Sequence, residues 1–487
     1  MKPPLPALTV VLSKLILPAP LPDPSDPDTY RYGGSEVEGD ELFRVPVTAG
    51  DVDGGCLDGS DPVFYVRRAP VDSSHPNRWV MFIPGGGSVS DADEAIELWK
   101  DQSDPTEQDA FPEMSSLWAA PTIGGRGIFN PYAADNPFAD YNMVFIHKCT
   151  YDRFMGRNAS EVQELDEAHT IVGYDPELPL GILLDLDIGD EVTLRFRGHD
   201  VVDAVIDTLG LETVSYEPDG HEEIVMPSLA DAEMVLFIGH SGGAKGATQI
   251  IDKVAAKITT EYGADVRFVM DASYLPGAEV IVTGEIFPED GFPTSDPGFG
   301  GDPLASFQAN YDEAIDIWEA DLDQTCLDEE AAVYACLEST HVLHHYIETP
   351  YFIRQDLFDP IHRSGDNGPI ASDPDCWDVQ WESPPETADC RGTSLARARA
   401  LTDQIRLLGD VVLAVDGLET APSGFFPACG HHGGAHTQDG FYSTLTTRRG
   451  VTGTYAQALD AWVEDVYLDT RYVEATPPVD INVSACP

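Results

Sequence analysis

The stretch Met234-Val235-Leu236-Phe237-Ile238-Gly239-His240-Ser241-Gly242-Gly243-Ala244-Lys245-Gly246 constrains the fold of this chain more than any other. An apolar run of strand length passes directly into Gly-x-Ser-x-Gly, and Thr248 to Ala255 then carries helical periodicity. Glycines on either side of Ser241 let the backbone turn where a side chain would clash. Such a turn lifts the hydroxyl clear of the sheet at the start of a helix, which makes Ser241 the candidate nucleophile. A plain glycine-rich turn can have the same string, so the flanking strand and helix carry the reading. A phosphate-binding loop does not fit, because no Gly-Lys-Ser/Thr ending follows.

Other segments repeat this strand and helix alternation. Strands are expected at Trp79–Ile83, Met143–Ile146, Met234–Ile238, Val266–Met270 and Tyr351–Leu357, and helices at Val201–Leu209, Thr248–Tyr262 and Tyr455–Val466. Short apolar strands between amphipathic helices imply an α/β fold with a mostly parallel sheet covered on both faces. With 43 glycines and 38 prolines among 487 residues, the scaffold carries many ordered loops. Residues 1–45 read as an extended arm and 46–487 as one domain, with a possible cap inserted at about 360–422 and a helix near Ser394–Leu408.

The chain has 85 acidic residues against 27 Lys plus Arg, a formal charge of -58. That balance excludes nucleic acid as a partner and repels anionic polymers at low salt; a saline habitat would accommodate it. No apolar run reaches membrane-spanning length. The eight cysteines include no Cys-x-x-Cys pair and read as disulfides: Cys326 and Cys336 are close enough to staple a loop, and Cys376 and Cys390 bracket another. Met1 to Pro20 is a poor match to an export signal, since Lys14 and several prolines interrupt its short apolar stretch. The string Asp185 to Asp190 reads as a half-buried strand rather than a Ca²⁺ loop, because Leu186 and Ile188 alternate with the acids.

A nucleophilic serine needs oxyanion donors, a base and an acid at the same sheet edge. Pro84-Gly85-Gly86-Gly87 directly follows the Trp79–Ile83 strand, and Gly86, Gly87 and Gly242 are the expected donors through their backbone N–H groups. His431, His432 and His436 lie together late in the chain and supply candidate bases; the same cluster is also compatible with a metal site. Asp359, just past the Tyr351–Leu357 strand, is the candidate acid, with Asp271 as its rival. The order Ser, acid, His is that of α/β-hydrolases.

These segments, with others in the same order, resemble the pectin acetylesterase and Notum family of serine carboxylesterases. The similarity runs from about Cys56 to Asp469: Cys56-Leu57-Asp58-Gly59-Ser60, Trp79 to Gly87, Met114-Ser115-Ser116, Gly127-Ile128-Phe129-Asn130, Asp135-Asn136-Pro137-Phe138, Asn142 to Cys149, Phe196-Arg197-Gly198, Gly239 to Gly243, Met270-Asp271-Ala272-Ser273, Leu357-Phe358-Asp359 and Ala428 to His432. The resemblance implies a secreted or cell-surface α/β-hydrolase-like enzyme with no cofactor and no metal. It assigns Ser241 as nucleophile, His432 as base, Asp359 as acid and Gly86, Gly87 and Gly242 as oxyanion donors, and it implies a Cys56–Cys149 disulfide. The chain departs from the family at Gly87-Ser88-Val89, where many relatives have an aromatic residue and a cysteine, and at Gly242, where they have alanine.

Three functions are then open. The first is hydrolysis of O-acetyl esters on a carbohydrate or a small ester; the second is a carboxylesterase for lipid or acyl-protein esters. The third is a non-catalytic carbohydrate-binding protein, against which the intact Ser241, His432 and Asp359 argue. Lys245 and Arg363 are the basic residues that could locally offset the net charge.

Overall fold

The computed structural model describes residues 10–11, 40–103, 113–116, 119–173, 182–218, 222–274, 312, 314–356, 359, 423–427, 429, 431–443, 445–448, 451–464 and 471–473. Its centre is a ten-stranded sheet in the order Arg471–Val473, Ser423–Phe426, Tyr351–Arg354, Asp265–Asp271, Met234–His240, Arg78–Ile83, Asn142–Ile146, Val63–Arg67, Leu42–Pro46, Thr122–Ile123. Neighbours are parallel from Arg471–Val473 through Asn142–Ile146, and antiparallel pairing begins at Val63–Arg67. The expected mostly parallel α/β sheet is therefore present, with an antiparallel edge.

Strand periodicity explains why both faces are covered. Trp79, Met81, Ile83, Val235 and Phe237 enter one core cluster, while Val80, Phe82, Leu236 and Ile238 enter the other. The first cluster is closed by the helices Gly198–Leu211 and Gly242–Tyr262 through Val202, Val205, Ile250 and Val254. The second is closed by the helix Tyr455–Val463 through Tyr455 and Leu459, together with Phe138 and Phe441.

Several boundaries differ from the sequence reading. The helix after Ser241 starts at Gly242 rather than Thr248, so the glycines form its first turn. The Tyr351 strand stops at Arg354, where its pairing with Asp271 ends, and Gln355 and Asp356 continue as buried irregular backbone. The strand leading to the Asp185 string ends at Leu186; Ile188 sits exposed at a turn, and the N–H of Asp187 donates to Asp190 at 2.9 Å. Leu42–Pro46, at the end of the expected arm, is a strand of the central sheet, and Val10–Val11 pairs with Val192 and Thr193. The expected cap at 360–422, the helix near Ser394, the Cys376 and Cys390 bracket and Arg363 lie outside the described residues.

Disulfides join Cys56 to Cys149 and Cys326 to Cys336, and Cys429 is also disulfide-bonded. The first spans 93 residues and the second 10. Loop-closure entropy makes their removal worth roughly 5 and 3 kcal/mol respectively. The Cys56→Ala/Cys149→Ala double variant should therefore lower the melting temperature more than Cys326→Ala/Cys336→Ala. Thermal melts in which the short-loop pair has the larger effect would refute that ordering.

Candidate active site

Ser241 joins the Met234–His240 strand to the Gly242–Tyr262 helix with φ 49° and ψ -123°, a conformation that non-glycine residues rarely adopt. Holding it costs of order 1–3 kcal/mol, so neighbouring contacts must fix the turn. The Ser241 N–H donates to the Asp271 carbonyl at 2.8 Å, and the Ser273 hydroxyl donates to the Ser241 carbonyl at 2.8 Å. The neighbouring strand end is equally close: a Cβ on Gly85 would lie 2.5 Å from Ser241 Cβ. Ser241 therefore stands at the positive N-terminal end of a 21-residue helix, against the glycine-rich loop.

Asp359 and His432, which follow the strands Tyr351–Arg354 and Ser423–Phe426 two and three places along the sheet, reach the same point. His432 Nε2 lies 2.7 Å from Ser241 Oγ, and His432 Nδ1 lies 2.9 Å from each Asp359 carboxylate oxygen. Asp359 is buried, whereas the His432 side chain keeps 21% exposure. The Gln355 amide donates to Asp359 Oδ2 at 2.9 Å and accepts the Tyr274 N–H at 3.1 Å, which fixes the carboxylate. The three residues lie 73 and 191 positions apart in sequence, yet their side chains form one continuous relay.

The other candidates have different places. The carboxylate of Asp271 accepts the backbone N–H groups of Gly434 and Ala435, at 3.0 and 2.7 Å, from the loop that carries His432. His431 gives its backbone N–H to Asp356 at 2.9 Å. The His436 ring packs 4.4 Å from His240, whose ring is 5.3 Å from that of His432. No group of three or more metal-ligating side chains able to hold an ion occurs among the described residues.

At the glycine-rich loop, Gly86 has φ 125°, and a Cβ on Gly242 would overlap the Gly86 carbonyl oxygen. The backbones of these expected donors therefore touch, while Gly87 is exposed with open space beside it. The buried Lys148 ammonium sits against Gly86, 3.7 Å above the Tyr151 ring.

His240, Arg354, Asp356 and Gln355 were not singled out from sequence. His240 was visible inside the Gly-x-Ser-x-Gly string, but nothing local indicates that its ring lies between two loop histidines. Burial, reinforced by His436 and His432, pushes the His240 imidazole well below its usual range, and burial also lowers His436. Burial pushes Asp356 up to about 7 against the pull of Arg354.

The motifs that carried the family resemblance meet one another in space. Ser60 Oγ accepts the Ser116 N–H at 3.0 Å, Asp152, outside the motifs, accepts the Gly198 N–H at 2.7 Å, and Asn136 donates to the Ile128 and Asn130 carbonyls at 2.9 and 2.6 Å. The Ile128 N–H in turn donates to the Ala435 carbonyl at 2.7 Å, tying these motifs to the histidine loop.

This fold, with a serine elbow beside an aspartate and a histidine at its carboxyl edge, is that of an α/β-hydrolase. The pectinacetylesterase family model matches residues 47–287. Palmitoleoyl-protein carboxylesterase notum2 of Xenopus laevis is 24% identical over 224 residues, 45% of this chain and 34% of the relative. The alignment thus spans about a third of that relative's length. Two crystal forms of the Wnt deacylase Notum from Drosophila share the fold at TM-score 0.58 and 18% identity, covering 92% of this chain and 99% of theirs. The chain is thus similar in sequence to the pectinacetylesterase family and to a Notum carboxylesterase, and in fold to Notum.

The histidine pair predicts a pH dependence. His240 and His436 resist protonation when folded, whereas an unfolded histidine titrates near 6.5. Their contribution to stability is complete above about 6.5 and is lost as pH falls toward the depressed folded values. His240→Phe should flatten the decline in melting temperature between pH 8 and 5.5. An unchanged decline would show that His240 does not titrate in that range.

Proposed function

We propose that this protein is a serine carboxylesterase that removes O-acetyl groups from carbohydrates. Ser241 is the nucleophile, His432 the base, Asp359 the acid, and the N–H groups of Gly86, Gly87 and Gly242 the oxyanion donors. The observation that carries this reading is the unbroken relay from Asp359 through His432 to Ser241, at 2.9 and 2.7 Å. Isolated serine is a weak nucleophile at neutral pH, and an imidazole at hydrogen-bond distance supplies the missing base.

His432 Nε2 takes the proton as Ser241 Oγ attacks the ester carbonyl. Asp359 holds the other ring nitrogen as a donor and stabilises the imidazolium. Backbone N–H groups at the helix start and glycine loop stabilise the tetrahedral oxyanion, a contribution worth roughly 3 kcal/mol per donor. His432 then returns the proton to the departing alcohol, and water, activated by the same imidazole, releases acetate from the acyl-enzyme.

The disulfides and the family support an extracytoplasmic location, and residues from 46 onward are read as one catalytic domain. The similarity to a palmitoleoyl-protein carboxylesterase supports a second reading, in which long acyl chains are removed. Chromogenic acetate and palmitate esters separate the two. Acetate should be preferred, and Ser241→Ala and His432→Ala should each abolish turnover of a folded protein, with His431→Ala milder. A palmitate preference would favour the second reading; wild-type protein inert to both esters would defeat the enzyme assignment.

Net charge makes a separate prediction about the alcohol side of the substrate. Repulsion between a -58 protein and acetylated polygalacturonate weakens as salt shortens the Debye length, about 10 Å at 0.1 M. At low salt, kcat/KM should therefore favour neutral acetylated glycans over acetylated pectin, and the gap should narrow across a salt series. A low-salt preference for pectin would mean that Lys148, Arg153 and Lys245 near the elbow outweigh the net charge.

A further inference from the structure

The carboxyl ends of two adjacent parallel strands bring together charges that the proposed relay does not use. Arg354 ends the Tyr351–Arg354 strand directly beside Asp271, which ends the next, and Asp356 follows two residues later. All three are buried. Arg354 Nη2 donates to Asp356 Oδ2 at 2.9 Å, and Arg354 Nη1 lies 3.6 Å from Asp271 Oδ1. The remaining oxygen of Asp271 accepts Gly434 N–H and Ala435 N–H, while Asp356 Oδ2 also accepts His431 N–H. Three backbone donors flanking His432 are thus held by two carboxylates around one guanidinium.

The guanidinium also faces the loop directly. A Cβ on Gly434 would lie 2.6 Å from Arg354 Nε and 2.8 Å from its Cζ, so only glycine allows this approach. Beyond the cation is the Tyr455 ring, its centroid 5.9 Å from Cζ. Asp356 and Asp271 keep the guanidinium charged against the opposing effect of burial. A loop so held can change position only by breaking several charge-assisted hydrogen bonds in a site shielded from water.

We propose that Arg354, Asp271 and Asp356 form a clamp that positions the His432 loop, with Asp271 acting on the orientation of the base rather than as its acid. This rests on the esterase reading for its catalytic consequence, but the clamp itself is readable without catalysis. The charged and titratable groups around His432 are Asp359, His240 and His436, with the clamp behind them. At His436 Asp271 favours the charged imidazole and Arg354 opposes it.

Asp271→Ala and Asp271→Asn test the clamp. The alanine variant deletes the acceptor for two N–H groups, and kcat should fall about 100-fold with KM nearly kept, the penalty of a base displaced by about 1 Å. Hydrogen exchange should accelerate in the peptide covering 431–437 and stay unchanged in the Gly242–Tyr262 helix. The asparagine variant keeps an oxygen acceptor for the loop; it should retain most of kcat and keep exchange at 431–437 near that of the wild type. If Asp271→Ala does not fold, Gly434→Ala, which pushes the loop off Arg354 without stranding a charge, should show the same kcat loss and local exchange. Wild-type exchange and kcat in Asp271→Ala or Gly434→Ala, or a kcat loss in Asp271→Asn as large as in Asp271→Ala, would overturn the proposal. Inert wild-type enzyme would defeat the esterase reading, while the exchange measurement would still decide whether the loop is clamped.

Discussion

A guanidinium removed from water is tolerable only if its charge is answered nearby, and the position of Arg354 organises much of this sheet edge. Its counter-charges, Asp271 and Asp356, come from adjacent strand ends, and their spare acceptor capacity is filled by N–H groups of the histidine loop. Burial of one cation therefore fixes two strand termini and one loop together. The Asp271 backbone carbonyl also receives the Ser241 N–H, so the same residue touches the Ser241 turn with its main chain and the His432 loop with its side chain. The positive φ of Ser241 is held within this arrangement.

The parts of the molecule legible in sequence are those whose cause is local. The short unbroken apolar runs in Arg78–Ile83 and Met234–His240 announce strands with two buried faces, and the glycines around Ser241 announce the turn. Even there, the glycines hid the first helical turn, since Gly242 to Gly246 has poor helix propensity and is helical because the sheet and loops hold it. Side-chain meetings across long separations left no local trace. The ordinary reading of Asp271, at the end of a strand, is as good an acid as Asp359; what separates them is which part of the loop each reaches, the backbone of Gly434 and Ala435 or the ring of His432. His240 is the sharper case, because it lies inside the most informative motif and its role depends on a loop nearly 200 residues later.

The family motifs show how short strings can be informative without touching the chemistry. Ser60 and Asn136 each use a short polar side chain to satisfy backbone groups of another motif, and Asp152, outside the motifs, does the same for Gly198, which a buried main chain requires. One of these supports continues to the histidine loop, where the Ile128 N–H donates to the Ala435 carbonyl. Such residues resist replacement because an isosteric apolar side chain would leave the partner group unsatisfied.

The same economy governs charge over the whole chain, where acids outnumber basic side chains by more than three to one. Cations are shared: Arg157 meets Asp200, Asp203 and Asp321, and Lys257 meets Asp203 and Asp207. Burial alone would raise Asp321, yet hydrogen bonds from His199, Lys253 and Arg157 hold it below the usual carboxylate range. Sharing one cation among several carboxylates reduces their mutual repulsion at these partly exposed positions. Some exposed acids are paired as well, as Glu97 is with Lys100 and Asp265 with Arg267, and the large excess of acids leaves the rest to dissolved ions. Because screening acts on exposed charges far more than on buried ones, ionic strength should govern approach of a charged substrate while leaving the Arg354 cluster and the relay beside it little changed.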